Sequence, residues 1–79
     1  MSQGDVATRV EGAFKAIFGS RLPFSPELSR ADHSYWTSLK HMELLMALEG
    51  EFGVQFDGAD AVDMQSIPSI IERVAERLA

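Results

Sequence analysis

Thr37-Ser38-Leu39-Lys40-His41-Met42-Glu43-Leu44-Leu45-Met46-Ala47-Leu48-Glu49-Gly50-Glu51-Phe52-Gly53 decides how this chain folds. The stretch is dense in Leu, Met, Ala, Glu and Lys, which lose little side-chain freedom in a helix. Thr37 can cap its start and Gly53 can stop it, so a helix is predicted from Ser38 to Phe52. At ~100° per residue, Leu44, Leu45, Leu48 and Phe52 cluster on one side. Leu39, Met42 and Met46 cluster on the other, with Glu43, Glu49 and Gly50 beside them. A single core needs only one apolar stripe. The second stripe reads either as a docking surface, adaptable because it is methionine-rich and edged by carboxylates, or as a face covered by the preceding loop with Tyr35 and Trp36.

Outward from this helix, the flanks are simpler. From Gly4 to Phe18, Val6, Val10, Ala13, Phe14 and Ile17 recur at helical spacing, and Gly19-Ser20 ends the run. From Gly19 to Trp36 the chain is rich in Pro, Gly and Ser, a long connection that Leu22, Phe24, Leu28, Tyr35 and Trp36 can pin down. Ser25-Pro26-Glu27 predicts a short helical turn from Pro26 to Arg30. After Gly53, a looser stretch holds one short helix at Gly58-Ala59-Asp60-Ala61-Val62-Asp63. A last helix starts at the Ser66 cap with Pro68 in its first turn and buries Ile67, Ile70, Ile71, Val74 and Leu78. There is no strand pattern, no repeat and no domain boundary. Residues 1–79 read as one all-α domain, a four-helix bundle of three main helices and one short one, with a long first loop.

Composition narrows the functions this bundle can have. The 79 residues are 46% hydrophobic and 24% charged, as in a globular chain, and hold no cysteine for a disulfide, a thiolate metal site or a nucleophile. Seven basic against 12 acidic residues give a net charge of −5, which disfavours nucleic acid and suits partners with basic patches. The longest apolar run, Leu44 to Leu48, is far too short for a membrane span, and Met1-Ser2-Gln3-Gly4-Asp5 lacks the features of a signal peptide. A cytoplasmic monomer is expected.

Ser38 stands where the middle helix begins, a position that favours an attached or bound phosphate but also, more simply, a cap. Thr37 can already fill the capping role. Ser38-Leu39, with Met42-Glu43-Leu44-Leu45-Met46-Ala47-Leu48-Glu49 and Glu51-Phe52, closely resembles the second helix of acyl carrier proteins, which opens with Asp-Ser-Leu and continues Glu-Leu-x-Met-x-Leu-Glu-x-x-Phe. In outline the resemblance covers the whole chain, and it is specific over Ser38 to Phe52. It implies a carrier with no catalytic residues. A phosphopantetheinyl transferase, using coenzyme A and magnesium, would attach 4′-phosphopantetheine at Ser38, and the arm's thiol would carry acyl groups as thioesters for fatty-acid, lipid or polyketide-type biosynthesis. The reactive thiol would then belong to the arm, in keeping with a chain that has no cysteine. The stripe of Leu39, Met42 and Met46, with Glu43 and Glu49, would meet acyl-transfer, condensing or ligase enzymes. Three departures from the family pattern stand out: Thr37 replaces the motif aspartate, Tyr35-Trp36-Thr37 replaces the usual Gly-Ala-Asp or Gly-x-Asp approach, and Lys40-His41 weaken the local acidity. Together they suggest a specialised carrier.

Other constellations carry less. His33 and His41 have no metal-binding spacing, so no metal site is expected. Asp57, Asp60 and Asp63 read as solvated turn and cap residues. The competing function is an unmodified helical interaction module, a degenerate carrier docking through Leu39, Met42 and Met46.

Overall fold

The computed structural model describes residues 3–79; Met1 and Ser2, part of the N-terminal stretch read above, lie outside them. Four helices follow in order: α1 (Gln3–Phe18), α2 (Ser38–Phe52), α3 (Gly58–Asp63) and α4 (Ile67–Leu78). Their ends are set by the residues the sequence singles out. The Thr37 hydroxyl accepts from the Lys40 amide at 3.2 Å, satisfying one of the donors that a helix start leaves open. Gly53 closes α2 in the left-handed region at φ 65°, where a side chain would be strained. A six-residue helix such as α3 does not hold alone in water. Here the Asp57 and Asp60 side chains cap each other's backbone N–H groups at its start. Ser66 and Ser69 do the same for α4, with Pro68 in the first turn.

The core is built around α1, which packs against both α2 and α4. Val6, Val10, Phe14 and Phe18 are buried against Leu44, Leu45, Leu48 and Phe52 of α2 and Ile67, Ile70 and Val74 of α4, with Met64 between. Ile71 and Leu78, expected inside, lie half-buried at its rim.

The long loop is held from both sides. Leu22, Leu28 and Trp36 are buried, and Phe24 and Tyr35 pack on the core. Backbone bonds from Arg30 N–H to Gln65 O (2.8 Å) and from Ile67 N–H to Leu28 O (2.9 Å) make a single antiparallel bridge between Ser29 and Ser66. That bridge corrects the expected helical turn at Pro26 to Arg30. The chain makes a tight turn closed by Leu28 N–H to Ser25 O at 3.1 Å, and a 3-10 turn follows at Arg30–Asp32. Committing the Leu28 carbonyl and the Arg30 amide to the 65–67 segment leaves no helical ladder for those residues.

Asp60 is a second correction. It is 1% exposed, not solvated, and it joins α3 to α4 through ion pairs with Arg73 and Arg77. Asp63 adds a pair to Arg73 at 2.8 Å from the surface. Asp57 is exposed and caps α3 as expected.

Candidate functional site

Ser38 is exposed at the first position of α2. The capping bond belongs to Thr37, so the Ser38 hydroxyl is not needed to start the helix. It accepts instead from Arg30 Nη2 at 3.0 Å. Arg30 also donates through Nε to Trp36 O (3.1 Å) and through Nη1 to Gln65 Oε1 (3.0 Å), which fixes the guanidinium between the 3-10 turn and the start of α2.

From Ser38, steps of four and seven or eight residues along a helix reach Met42, Leu45 and Met46. These three, with Glu49 and with Phe56, Asp57, Gly58 and Ala61 on the α3 side, line a mostly apolar groove of about 220 Å³ between α2 and α3. The serine and the groove therefore share one face of α2. Leu39 (70% exposed), Met42 (52%) and Met46 (66%) stand in the open, while Trp36 turns inward onto Phe14 and Phe18. The loop does not cover the second stripe. Glu43 and Glu49 are half-buried beside it, and one Glu49 oxygen accepts from the Phe56 amide at 2.8 Å.

Sequence reasoning missed Arg30 as a neighbour of Ser38, and missed Phe56 and Ala61 as the far wall of the groove. The bond from Arg30 spans eight residues of irregular loop, where no periodicity signals a contact. Val62, 70% exposed on α3, is a further apolar residue that no pattern marked.

Behind the site, His41 is 3% exposed, and its Nδ1 accepts from the Trp36 indole N–H at 3.0 Å. That bond assigns the ring proton to Nε2, which donates to Ala61 O at 2.9 Å. Gln65 Nε2 donates to the same carbonyl at 2.7 Å. The neutral ring thus ties the loop, α2 and α3 together. Burial pushes the His41 pKa below 6.5, the Ala61 bond opposes this, and the charge of Arg30 adds to the lowering. Asp60 is held well below its ordinary 3.8, first by Arg77 and then by the backbone bond at Asp57, with Arg73 helping against the cost of burial.

Both shifts are downward, so in both cases the unfolded chain takes up protons first as pH falls. Stability should therefore be full above about pH 6.5 and decline below it as the unfolded chain's histidine protonates, until His41 protonates in the fold as well. It should decline again below about pH 3.8 through Asp60. Chemical denaturation followed across pH should show both stages. His41→Gln should remove the first stage, and Asp60→Asn should flatten the second at the cost of a lower baseline.

Among the described residues no group of three or more His, Cys, Asp or Glu is placed to hold a metal ion, and no helix is long and apolar enough to cross a membrane.

Four helices in this order, with a long pinned first loop, match the bundle that the resemblance implies. The fold superimposes on the solution NMR structure of a holo acyl carrier protein from Geobacter metallireducens with a TM-score of 0.78, at 22% identity over 92% of this chain and 85% of that one. In sequence, the chain is 30% identical over 84 aligned positions to an acyl carrier protein of Thermosynechococcus vestitus, spanning 100% of this chain and 99% of the relative. No protein-family model matches the chain. The chain belongs to the acyl carrier protein family, whose members are carriers and not enzymes.

Proposed function

We propose that this chain carries acyl groups as thioesters on a 4′-phosphopantetheine arm attached to Ser38, in the cytoplasm, for fatty-acid, lipid or polyketide-type biosynthesis. One observation carries the reading: an exposed serine hydroxyl, free of capping duty, opens the same helix face that leads into the apolar α2–α3 groove. The residues present fit the group. Ser38 would hold its phosphate by an ester bond, and Met42, Leu45, Met46, Phe56 and Ala61 offer apolar surface along its path. When attached, the arm supplies a thiol, which the chain itself lacks. In the attachment, a bond forms between Ser38 Oγ and phosphorus as the phosphoanhydride bond of coenzyme A breaks. The nucleotide half leaves, and the serine proton passes to the transferase or to solvent. Incubation with a broad-specificity phosphopantetheinyl transferase, coenzyme A and magnesium should raise the intact mass by one phosphopantetheine group. An unchanged mass would favour the unmodified interaction module.

The exposed stripe of Leu39, Met42 and Met46 would dock transferases and acyl-transfer, condensing or ligase enzymes. Glu43 and Glu49 would speed the encounter with a basic surface in a salt-sensitive way. Replacing Met42 and Met46 together with Gln should change stability by no more than ~0.5 kcal/mol, because both are exposed. Binding to a cognate transferase or acyl-transfer enzyme should weaken by about tenfold, the effect of losing ~1–2 kcal/mol at an interface. A large drop in melting temperature with binding intact would place the docking surface elsewhere.

Thr37→Asp tests the altered motif. Thr and Asp both cap helices, so stability should shift by at most ~0.5–1 kcal/mol. The rate of modification by a standard transferase should rise, since the change restores the motif carboxylate next to the serine. An unaltered rate would show that Thr37 is neutral for modification.

A further inference from the structure

Arg30 is placed with more care than the fold requires. Its backbone amide already fixes the 3-10 turn by donating to Gln65 O. Its side chain is then held a second time, by Trp36 O and Gln65 Oε1, with the third bond reaching Ser38 Oγ at 3.0 Å. These three bonds engage three of the five N–H donors of a planar, permanently charged fork, the geometry best suited to phosphate oxygens. The neighbouring Thr37 is uncharged, so no carboxylate at that position competes for the guanidinium. Arg30 also borders an open depression of about 690 Å³ with Ala31, His33, Ser34 and Gln65, which leaves the fork reachable from solvent. Asp32 lines that depression too, and its carboxylate would repel an anion there.

We propose that Arg30 is a positioning residue that clamps the phosphodiester formed on Ser38, tying the root of the attached arm to the 3-10 turn. The proposal rests on the reading that Ser38 carries the arm. On attachment the serine oxygen loses its hydrogen and becomes a poor acceptor, while the adjacent non-bridging oxygens share a full negative charge. The guanidinium that contacted the hydroxyl exchanges a neutral acceptor for a charged one, a stronger bond. The clamp would restrain the arm at its root and leave its far end mobile.

The test compares apo and holo forms of the full chain within each variant, so that any structural loss from the Trp36 and Gln65 bonds cancels. Wild type, Arg30→Gln and Arg30→Lys are modified with the transferase and coenzyme A, and attachment is verified by intact mass. At low salt, wild-type holo protein should melt about 2–5 °C above apo, and the gain should shrink at high salt. Arg30→Gln should lose the gain and Arg30→Lys should keep part of it. In wild type the nitrogen resonances of the Arg30 guanidinium should shift on attachment, a readout that does not depend on how well the glutamine variant folds. An equal holo-minus-apo gain in Arg30→Gln, no gain in wild type, or unmoved guanidinium resonances would each overturn the clamp while leaving attachment at Ser38 intact. Absence of any mass gain in wild type would overturn both.

Discussion

Replacing Trp36 with alanine is expected to remove about 3–5 kcal/mol of stability, the range for truncating a buried aromatic side chain. A domain of this size typically has only ~5–10 kcal/mol in total, so much of the variant population should be unfolded near 37 °C. Three contributions meet at this one residue. Its ring is 2% exposed and meets Phe14 and Phe18 edge-on, each at 5.6 Å, which closes the end of the core between α1 and α2. Its indole N–H satisfies His41 Nδ1, and its carbonyl accepts from Arg30. Trp36→Phe should separate these effects. It keeps most of the packing but leaves a buried imidazole nitrogen without its donor, a loss of ~1–3 kcal/mol. Denaturant unfolding followed by far-ultraviolet circular dichroism measures both variants. A loss below 1 kcal/mol in Trp36→Ala would mean that the loop is not part of the cooperative fold.

The α2 and α3 boundaries were legible in the sequence because their ends carry their own chemistry. Thr37 and Gly53 bracket Ser38–Phe52, where capping and the apolar period point to the same ends, and Asp57, read as a turn or cap residue, directly precedes Gly58–Asp63. The separation of Leu44, Leu45, Leu48 and Phe52 from Leu39, Met42 and Met46 followed from the helical repeat alone, and the two sets are respectively buried and exposed.

What escaped the sequence was contact between distant polar residues. Asp60 looked like a solvated turn residue because its partners, Arg73 and Arg77, lie a helix away, and only the packing of α3 on α4 brings the charges together. The turn near Pro26 was misplaced for a similar reason. Pro and Ser chemistry favours a helical start there, but the backbone bonds to Gln65 and Ile67 outweigh it. At the site, Ser38 could be singled out from its place at a helix start and from family resemblance. Arg30 could not, since an arginine in an irregular loop carries no pattern that says which hydroxyl it reaches.

Ser38→Ala should abolish modification without harming the fold. The residue is exposed, Thr37 holds the cap, and alanine is the best helix former at the position it would take. The melting temperature should stay within a few degrees of wild type, the residual cost being the lost bond from Arg30. The stringent comparison is with the other seven serines. Ser66 and Ser69 also sit at a helix start, but they are half-buried and bonded to each other in the α4 capping box. The most direct measurement is therefore peptide mapping by mass spectrometry of wild-type and Ser38→Ala protein after exhaustive incubation with transferase, coenzyme A and magnesium. A single phosphopantetheine adduct on the Ser38 peptide of wild type, and none on the folded alanine variant, is the predicted result. An adduct on any other serine, or no adduct on wild type with a transferase active on a control carrier, would contradict it.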